Sequence, residues 1–430
     1  MKAKAAATLL LGIICPLAWT GPQPAAQAGK RLWVLKGPSE VTEYDPLTFT
    51  AKQKRSIPAQ VVKGPENISI NGRGQMLTVP GPEEDIPPMD PGAVNGKLWL
   101  WNGQTATFLD RGVARTASPS EGSPSLVEIA PRCFLSGDGT RLYWFANEFR
   151  KLLEGTGGPE ISVTTGFRAW QTDLAGGQRL QIAALSFLPC QCETGACSET
   201  CPEAEVWVPD GGVGGFFILT RWTPGQLGAT YHDSFLYRKS EGAWSARKLP
   251  QALERVLDAS DGGATIVHAL PDSGCCGWDN ESNDTTLLSR DGRNTVLFDE
   301  RERYSNPDYD MSFFTLNARL SPGASFAALA IISSAQPGSE IRLSSDGKAD
   351  AKELARIRAA VDELPAVEVI RLEDPPKRSV LIPHTELAGW LSDQEVLLVE
   401  TGALVALNVS TGTRRKSQIQ VSSAANVFLR

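Results

Sequence analysis

The sequence feature that most constrains the fold is a recurring pair of apolar segments joined by a tight polar turn. Such a pair predicts a β-hairpin, because Asn-Gly and Asp-Gly supply the positive φ angles that two-residue hairpin loops require. Six copies recur at spacings of about 50 to 70 residues, a period typical of repeat architectures. The copies are Ile68–Val79, Phe134–Phe145, Val206–Thr220, Leu257–Leu270, Arg319–Ile331 and Gly389–Glu400.

A second hairpin-like unit follows most of these copies, as a strand that ends in a polar turn and leads into another strand. Clear examples begin at Lys97, Phe167, Thr285 and Leu404. Two consecutive hairpins make a four-stranded antiparallel meander, which is the blade of a β-propeller. The pattern therefore predicts an all-β chain with one blade per repeat.

The two ends of the chain supply one further blade between them. Arg31–Pro58 contains the second, third and fourth strands of a blade but no first strand, and Ser422–Arg430 offers a single apolar strand. An open ring would leave two sheet edges unpaired, so we predict that the C-terminal strand joins the N-terminal blade. This gives a single propeller of seven four-stranded blades, with six as the alternative count.

Three short motifs carry a family resemblance: Leu320–Gly323, Ser136–Gly139 and Trp170–Gly177. They resemble the Ser-Pro-Asp-Gly turn, and the strand ending in Asp-x-x-Gly-Gly, of secreted bacterial β-propellers of the TolB-like and WD40-like repeat type. The match is degenerate, because Pro322-Gly323 lacks the aspartate and Asp393-Gln394 lacks the glycine. The resemblance spans most of the mature chain and implies a fold rather than a function.

Residues 1–28 have the organisation of a secretory signal. Two lysines precede an apolar stretch from Ala5 to Trp19, and Ala26–Ala28 forms an A-x-A cleavage site. This stretch is shorter than the roughly 20 residues that a membrane-spanning helix needs. We therefore predict a secreted or periplasmic monomer, with a propeller domain over 29–430 and no membrane span after signal cleavage. The net charge of −7 argues against a nucleic-acid partner.

Seven cysteines remain after the predicted cleavage, and six of them form two tight clusters. Disulfides are the usual state of such clusters in an oxidising compartment. The first cluster lacks the paired C-x2-C units of many zinc sites, so we predict no metal there. Cys133 is left over as the thiol outside the clusters, and the pairing among the others stays open. The disulfide candidates are Cys190, Cys192, Cys197, Cys201, Cys275 and Cys276.

The strand order sorts the loops by face, because alternate turns of a meander lie at opposite edges of a blade. Tight turns fall on one face, and long segments fall mostly on the other, where a rigid scaffold would present them for binding. The longest of these segments, Ser333–Pro365, contains an amphipathic pattern that predicts a helix over Ala349–Leu364. The other long segments are Pro80–Gly96, Pro189–Pro202, Pro271–Asp284 and Glu300–Asp310.

The candidate binding residues are mainly acidic and aromatic groups in these long segments. No acidic cluster follows the calcium-loop pattern of alternating oxygen ligands, so solvated loops are favoured over a calcium site. One histidine is a candidate acid or base because it adjoins Asp233. The candidates are Glu83, Glu84, Asp85, His232, Trp278, Asp279, Asp308 and Tyr309.

No catalytic machinery stands out in the sequence, which lacks the G-x-S-x-G elbow of serine hydrolases. We therefore predict no catalytic residues and no cofactor, and favour an exported, non-catalytic propeller. It would bind an unknown protein or small ligand through its loop-rich, disulfide-stapled face. One alternative is an exported hydrolase or lyase with its site at the mouth of the central channel. Charged side chains that converge at this mouth would favour the enzyme. The other is a structural module of an envelope assembly.

Overall fold

The computed structural model describes thirteen segments and one pair of residues, which together form a seven-bladed β-propeller. The described residues are 30–58, 68–78, 98–109, 125–128, 132–153, 160–174, 180–187, 202–210, 212–223, 230–269, 284–299, 308–309, 311–344 and 347–430. The predicted all-β propeller with seven blades is confirmed, and all strand pairs within the blades are antiparallel.

Blade 1 contains β1 (Leu32–Lys36), β2 (Glu40–Tyr44) and β3 (Ala51–Ser56). Blade 2 contains β4 (Ile68–Ile70), β5 (Met76–Thr78), β6 (Leu98–Trp101) and β7 (Ala106–Leu109). Blade 3 contains β8 (Ser125–Glu128), β9 (Arg132–Leu135), β10 (Arg141–Leu153), β11 (Glu160–Asp173) and β12 (Leu180–Ser186). Blade 4 contains β13 (Glu203–Trp207), β14 (Phe216–Thr223), β15 (Thr230–Ser240) and β16 (Ala243–Lys248).

Blade 5 contains β17 (Arg255–Ala259), β18 (Ile266–Ala269), β19 (Thr285–Leu288) and β20 (Asn294–Phe298). Blade 6 contains β21 (Phe313–Leu320), β22 (Phe326–Ser333), β23 (Ala366–Arg371) and β24 (Lys377–Ile382), with helix α1 (Ala351–Asp362) between β22 and β23. Blade 7 contains β25 (Thr385–Trp390), β26 (Glu395–Glu400), β27 (Ala403–Asn408) and β28 (Arg414–Gln420), and the last strand is β29 (Val427–Leu429).

The last strand completes the first blade, as predicted. β29 pairs with β1 in antiparallel register, with Val427 opposite Val34. Reciprocal backbone bonds extend the pairing by one residue: Arg31 donates its N–H to the Arg430 carbonyl at 2.5 Å, and Arg430 donates to the Arg31 carbonyl at 2.9 Å. Blade 1 therefore has the strand order β29-β1-β2-β3, and the ring closes without leaving the inner edge of β1 unpaired.

Large apolar side chains fill the spaces between neighbouring blades. Trp33 of blade 1 packs with Met76 and Trp101 of blade 2, and all three are buried. Between blades 3 and 4, the Phe217 ring lies 5.0 Å from the Phe145 ring in an edge-to-face arrangement. Each such side chain contributes roughly 1.5–3 kcal/mol when fully buried, so the core lies in these layers between blades.

Blade 3 departs from the simple meander at its first strand. β10 is long, and two short strands share its inner edge: β9 pairs along Leu142–Phe145, and β8 pairs along Glu148–Lys151. The first strand of this blade is therefore divided into β8 and β9, which pair with different parts of β10.

We call the side of the ring that carries the first-to-second and third-to-fourth turns the turn face, and the opposite side the insertion face. The segment Ser333–Pro365 connects β22 to β23 on the insertion face, and its predicted helix is confirmed as α1. The Asp350 carboxylate begins the helix by accepting the N–H groups of Lys352 (2.8 Å) and Glu353 (3.3 Å). The signal at 1–28 and nearly all of the other four long segments lie outside the described residues.

Candidate functional site: the central channel

The first strands of the blades surround the axis of the ring, and polar side chains connect one blade to the next. The Arg255 guanidinium of β17 donates to the Leu316 carbonyl of β21 at 2.8 Å. The Trp390 indole N–H of β25 donates to the Arg319 carbonyl at 2.9 Å. These bonds hold neighbouring first strands at fixed positions, so side chains that face the axis are held on a rigid frame.

The channel contains a cavity of about 730 Å³. This volume falls within the roughly 300–1,000 Å³ of small-molecule sites. Most of its wall comes from β21, β25 and the segment 423–430, and one aspartate reaches it from blade 4. The apolar part of the wall includes Leu316, Ile332, Leu387, Val427 and Phe428, and the polar part includes Asp210, Asn317, Arg319, Thr385, Glu386, Ser423 and Arg430.

Four charged residues come together at the turn-face end of the channel, and we call them the channel charge cluster: Asp210, Asp258, Arg319 and Arg430. Each lies at the end of a first strand or just beyond it, in the turn that follows β13, in β17, in β21 and after β29, respectively. Because first strands all run toward the turn face, their final residues meet there. The fold therefore brings together four residues from blades 4, 5, 6 and 1.

Asp210 and Arg319 form an ion pair across the channel. Arg319 is also held by Asn317 Oδ1 at 2.8 Å and by the Ala318 carbonyl at 2.9 Å. The Asp210 side chain is 51% exposed and lines the cavity. Burial would raise the pKa of the Asp210 carboxyl, but the charges of Arg319 and Arg430 outweigh burial and hold that pKa below its ordinary value. Asp210 is therefore anionic at neutral pH.

The pKa of Asp258 shifts in the opposite direction, above its ordinary value. Its Oδ2 accepts the Leu320 backbone N–H at 2.6 Å, which links β17 to β21. Burial raises the pKa of the Asp258 carboxyl to about 6, the Arg319 charge and the Leu320 hydrogen bond counteract this in part, and the Asp210 charge adds to it. This carboxyl group consequently exchanges its proton close to neutral pH.

Within the described segments, no Asp or Glu carboxylate lies within 4 Å of the Arg430 guanidinium, and Asp210 acts on it at longer range. Its Nε donates to the Ile70 carbonyl of β4 at 2.7 Å, and Nη1 donates to the Leu429 carbonyl at 3.1 Å. Burial lowers the pKa of the guanidinium, the Asp210 charge raises it and the Arg319 charge lowers it further. Its third nitrogen, Nη2, makes no hydrogen bond within the described segments, and Arg430 lines the cavity.

The insertion-face end of the cavity is held by Glu386. One oxygen of its carboxylate, Oε2, accepts the Ser423 hydroxyl and the Ala424 backbone N–H, both at 2.7 Å. These two bonds tie the segment before β29 to β25. The Glu386 carboxylate therefore has a structural role in the cavity wall.

The structure does not bring the predicted His232 and Asp233 together as an acid–base pair. His232 is exposed on β15, and its Nε2 lies 2.6 Å from the Thr223 hydroxyl. The Asp233 carboxylate instead forms ion pairs with Arg221 and Lys248. The register between β14 and β15 shifts at this point: Asp233 lies opposite Arg221 and Tyr231 lies opposite Trp222, so His232 is the extra residue of a β-bulge and has no opposite partner on β14.

Asp308 and Tyr309 anchor the insertion of blade 6. The buried Tyr309 hydroxyl accepts the Asp350 N–H at 3.1 Å and donates to the Asp350 carbonyl at 2.8 Å. Asp308 accepts the Lys348 N–H through Oδ1 at 3.1 Å and the Ser344 N–H through its carbonyl at 3.0 Å. The described contacts of these two candidates therefore hold the segment that leads into α1.

The remaining predicted site residues lie outside the described residues. They are Glu83, Glu84, Asp85, Trp278, Asp279 and the six clustered cysteines, Cys190, Cys192, Cys197, Cys201, Cys275 and Cys276. Cys133 is described and lies buried in β9. Within the described segments, no group of three His, Cys, Asp or Glu side chains is arranged to hold a metal ion. Their helices also include none long and apolar enough to cross a membrane.

Sequence reasoning missed the channel charge cluster, although one signal was present. Asp258 and Arg319 each stand two residues before a turn serine, Ser260 and Ser321, which accept the N–H groups of their own turns. Aligning the repeat copies on these serines would have placed the two charged residues at equivalent positions of blades 5 and 6. Asp210 and Arg430 offer no comparable pattern.

Comparison with known proteins gives similarity of fold only. No protein-family model matches the sequence, and no match is found among curated proteins. Similar solved structures include apo AztD from Citrobacter koseri, at 12% identity and a TM-score of 0.40 over 92% of this chain and 95% of that chain. They also include the periplasmic gluconolactonase PpgL of Pseudomonas aeruginosa, at 10% identity and a TM-score of 0.42, with 93% of this chain and 98% of that chain covered. A third is the WD40 domain of SCAP from fission yeast, at 9% identity and a TM-score of 0.34, with 89% of this chain and 82% of that chain covered. Similarity at this level transfers neither a ligand nor an activity.

Proposed function

We propose that this protein is an exported, non-catalytic β-propeller that binds a small carboxylate-bearing ligand in its central channel. The observation that carries the proposal is the half-buried Arg430 guanidinium at the cavity wall, which has no Asp or Glu carboxylate within 4 Å in the described segments. A cation that is partly shielded from water gains from an anionic partner, because charges interact more strongly where water is partly excluded.

The rest of the cavity suits a small organic acid rather than a bare ion. Leu387, Val427 and Phe428 give it an apolar wall, while Arg319 and Asn317 add polar groups near Arg430. Small-ligand sites typically combine apolar walls with a few convergent polar groups that fix orientation. Arg430 would hold the carboxylate, and the apolar wall would hold the carbon skeleton.

Export and access complete the proposal. The signal predicted at 1–28 would direct the chain to the periplasm or the medium. A ligand would enter from the insertion face, at the end of the cavity that Glu386 and Ser423 line. The channel charge cluster lies at the opposite end, where Asp210 and Arg319 form an ion pair.

Isothermal titration calorimetry with acetate, succinate and glucuronate tests the proposal, with neutral sugars as the comparison. We expect at least one acid to bind the wild type, and Arg430→Gln to weaken that binding at least tenfold, which is about the loss of one charge-assisted hydrogen bond. Asp210→Asn should instead strengthen binding, because it removes a carboxylate that competes for the same guanidinium groups.

Arg358→Gln is the matched control, because it removes an exposed arginine from α1, remote from the cavity lining. Its affinities should equal those of the wild type. The proposal is wrong if no acid binds saturably, or if Arg430→Gln and Asp210→Asn change affinity in the same direction.

A second candidate function is an exported hydrolase or lyase, and the pKa of Asp258 favours it. A carboxyl group with a pKa of about 6 can donate and accept protons near neutral pH, and such groups cluster at catalytic sites. Any turnover of a carboxylate ligand should then be lost in Asp258→Asn while its binding is retained. Binding without turnover in the wild type would leave the non-catalytic function as the better account.

A further inference from the structure

A second cavity lies in the crevice between blades 4 and 5 on the turn face, away from the central channel. Its volume is about 410 Å³. We call it the arginine groove, because three of the described side chains that line it are arginines and none of those described is acidic. The groove is lined by Leu236, Arg238, Ser245, Arg247, Gly262, Gly263, Ala264 and Arg290.

One wall of the groove is a single sheet face of blade 4. Arg238 lies opposite Ser245, and Leu236 lies opposite Arg247, on the paired strands β15 and β16. Residues two apart on a strand share a face, so these four side chains project from the same side of the sheet toward blade 5. The antiparallel pairing therefore places two guanidinium groups and one hydroxyl group side by side.

The other wall comes from two turns of blade 5. Gly262 and Gly263 both have positive φ angles, +72° and +65°, and their turn lies directly against blade 4. A Cβ atom at Gly263 would lie 2.6 Å from Leu236 Cδ1, so only glycine permits this approach. Arg290 extends from the turn between β19 and β20, whose neighbouring Gly292 lies close to Pro250 at the end of blade 4. Close packing of both turns fixes the width of the groove.

The groove concentrates positive charge on an otherwise acidic protein. All three arginines are exposed, and within the described part of the chain none of them lies within 4 Å of a carboxylate oxygen. The protein as a whole carries a net charge of −7, so this local excess runs against its overall charge. Three like charges on one small cavity repel each other, and an anion between them would convert that repulsion into attraction.

We propose that the arginine groove binds a tetrahedral oxyanion, either phosphate or sulfate, as the free ion or as a monoester. Guanidinium groups bind such oxyanions through paired N–H donors, and a tetrahedral group presents oxygens toward three directions at once. A planar carboxylate presents only two oxygens and a single charge, which would leave part of the groove unmatched. The Ser245 hydroxyl lies on the same wall and donates to the Arg238 carbonyl at 3.4 Å. This site goes beyond the proposed channel function and does not depend on it.

Calorimetric titration of the full chain with sodium sulfate and with sodium phosphate tests the proposal, at a pH where phosphate is a dianion and at an ionic strength kept constant with sodium chloride. We expect saturable binding of one ion per chain. Arg247→Gln and Arg290→Gln should each weaken it about tenfold or more, which corresponds to losing one charge-assisted hydrogen bond. Both side chains are exposed, so both variants should fold, and circular dichroism checks this.

Two further variants separate this site from general electrostatics and from the channel. Arg358→Gln removes one positive charge from the exposed surface of α1, and Arg430→Gln removes the channel guanidinium; both should bind sulfate and phosphate as the wild type does. Glucose 6-phosphate and a sulfated monosaccharide, titrated in parallel, distinguish a free ion from a monoester. The proposal is overturned if chloride abolishes all saturable binding, if Arg358→Gln weakens binding as much as Arg247→Gln, or if only Arg430→Gln weakens it.

Discussion

At the scale of single residues, Asp258 links the charge of the channel to the stability of the fold. Its pKa is about 6 in the folded protein and 3.8 in an unconstrained chain. The folded state therefore binds this proton more tightly than the unfolded state does. The relative stability that this group confers is fully present below about pH 4 and is lost as the pH rises through about 6.

We therefore predict that Asp258→Asn changes the pH dependence of stability. The free energy of unfolding of the wild type, relative to the variant, should fall by up to about 3 kcal/mol between pH 4 and pH 7, because each pKa unit corresponds to about 1.4 kcal/mol. Asparagine can still accept the Leu320 N–H, so the comparison isolates ionisation. Urea unfolding of both proteins across this pH range measures the difference.

Asp362→Asn is the matched control, since it neutralises an exposed carboxyl at the end of α1. Its difference from the wild type should not follow the Asp258→Asn profile. Parallel pH profiles for the wild type and Asp258→Asn would show that Asp258 does not ionise near neutral pH.

The contacts between the channel residues could not be predicted from the sequence. The turn serines mark equivalent positions for Asp258 and Arg319, but nothing local distinguishes Asp210 from the many charged residues that end strands at a surface or predicts that it pairs with Arg319. Their pairing depends on how far each blade is rotated about the axis. The His232–Asp233 neighbours, which look more like a site in the sequence, are separated by strand geometry.

At the scale of secondary-structure elements, α1 is an integral part of blade 6 rather than a loose insertion. Ile357 is 1% exposed and packs in a cluster with Tyr309, Phe313 and Ile341. The helix therefore covers apolar surface that the sheet alone would leave open to water.

Ile357→Ala should consequently lower the free energy of unfolding by about 2–5 kcal/mol, since it leaves a cavity in a packed cluster. Arg358→Ala, at the adjacent exposed position, should change stability by less than about 0.5 kcal/mol. Chemical denaturation of the two variants measures both values. Equal and small effects would mean that α1 does not contribute to the core.

Most elements were predictable because their signals are local. Turn residues such as Asn71-Gly72 act within a single hairpin, and the apolar pattern of the helix lies within its own sequence. The division of the first strand of blade 3 was not predictable, because it depends on the unusual length of β10 and on which part of it each short strand covers.

At the scale of the whole molecule, closure by β29 should govern the stability of all seven blades. Val427 is 7% exposed and packs with Leu32 and Leu404 across the junction of blades 1 and 7. Val427→Asp would bury a charge at this junction and should lower the free energy of unfolding by at least about 3 kcal/mol. The exposed edge of β1 should then promote association between chains.

Hydrogen exchange provides the test at this scale. In Val427→Asp, amides of β14 in blade 4 should exchange faster, as should those of β1, because the ring unfolds as one unit. Gln418→Asp places the same charge at an exposed position of the outer strand β28 and should leave the exchange rates of the β1 and β14 amides unchanged. Faster exchange confined to β1 would show that the blades are stable independently of closure.

The sequence by itself determined the hairpins, the number of blades, the strand that closes the ring and the position of the helix. Those features depend on interactions between residues that are close along the chain, or on the requirement that sheet edges be paired. Only the tertiary structure decided which charged side chains meet in the channel and which arginines line the groove between blades 4 and 5. Those groups belong to different repeats, so their distances are set by the packing of one blade against the next.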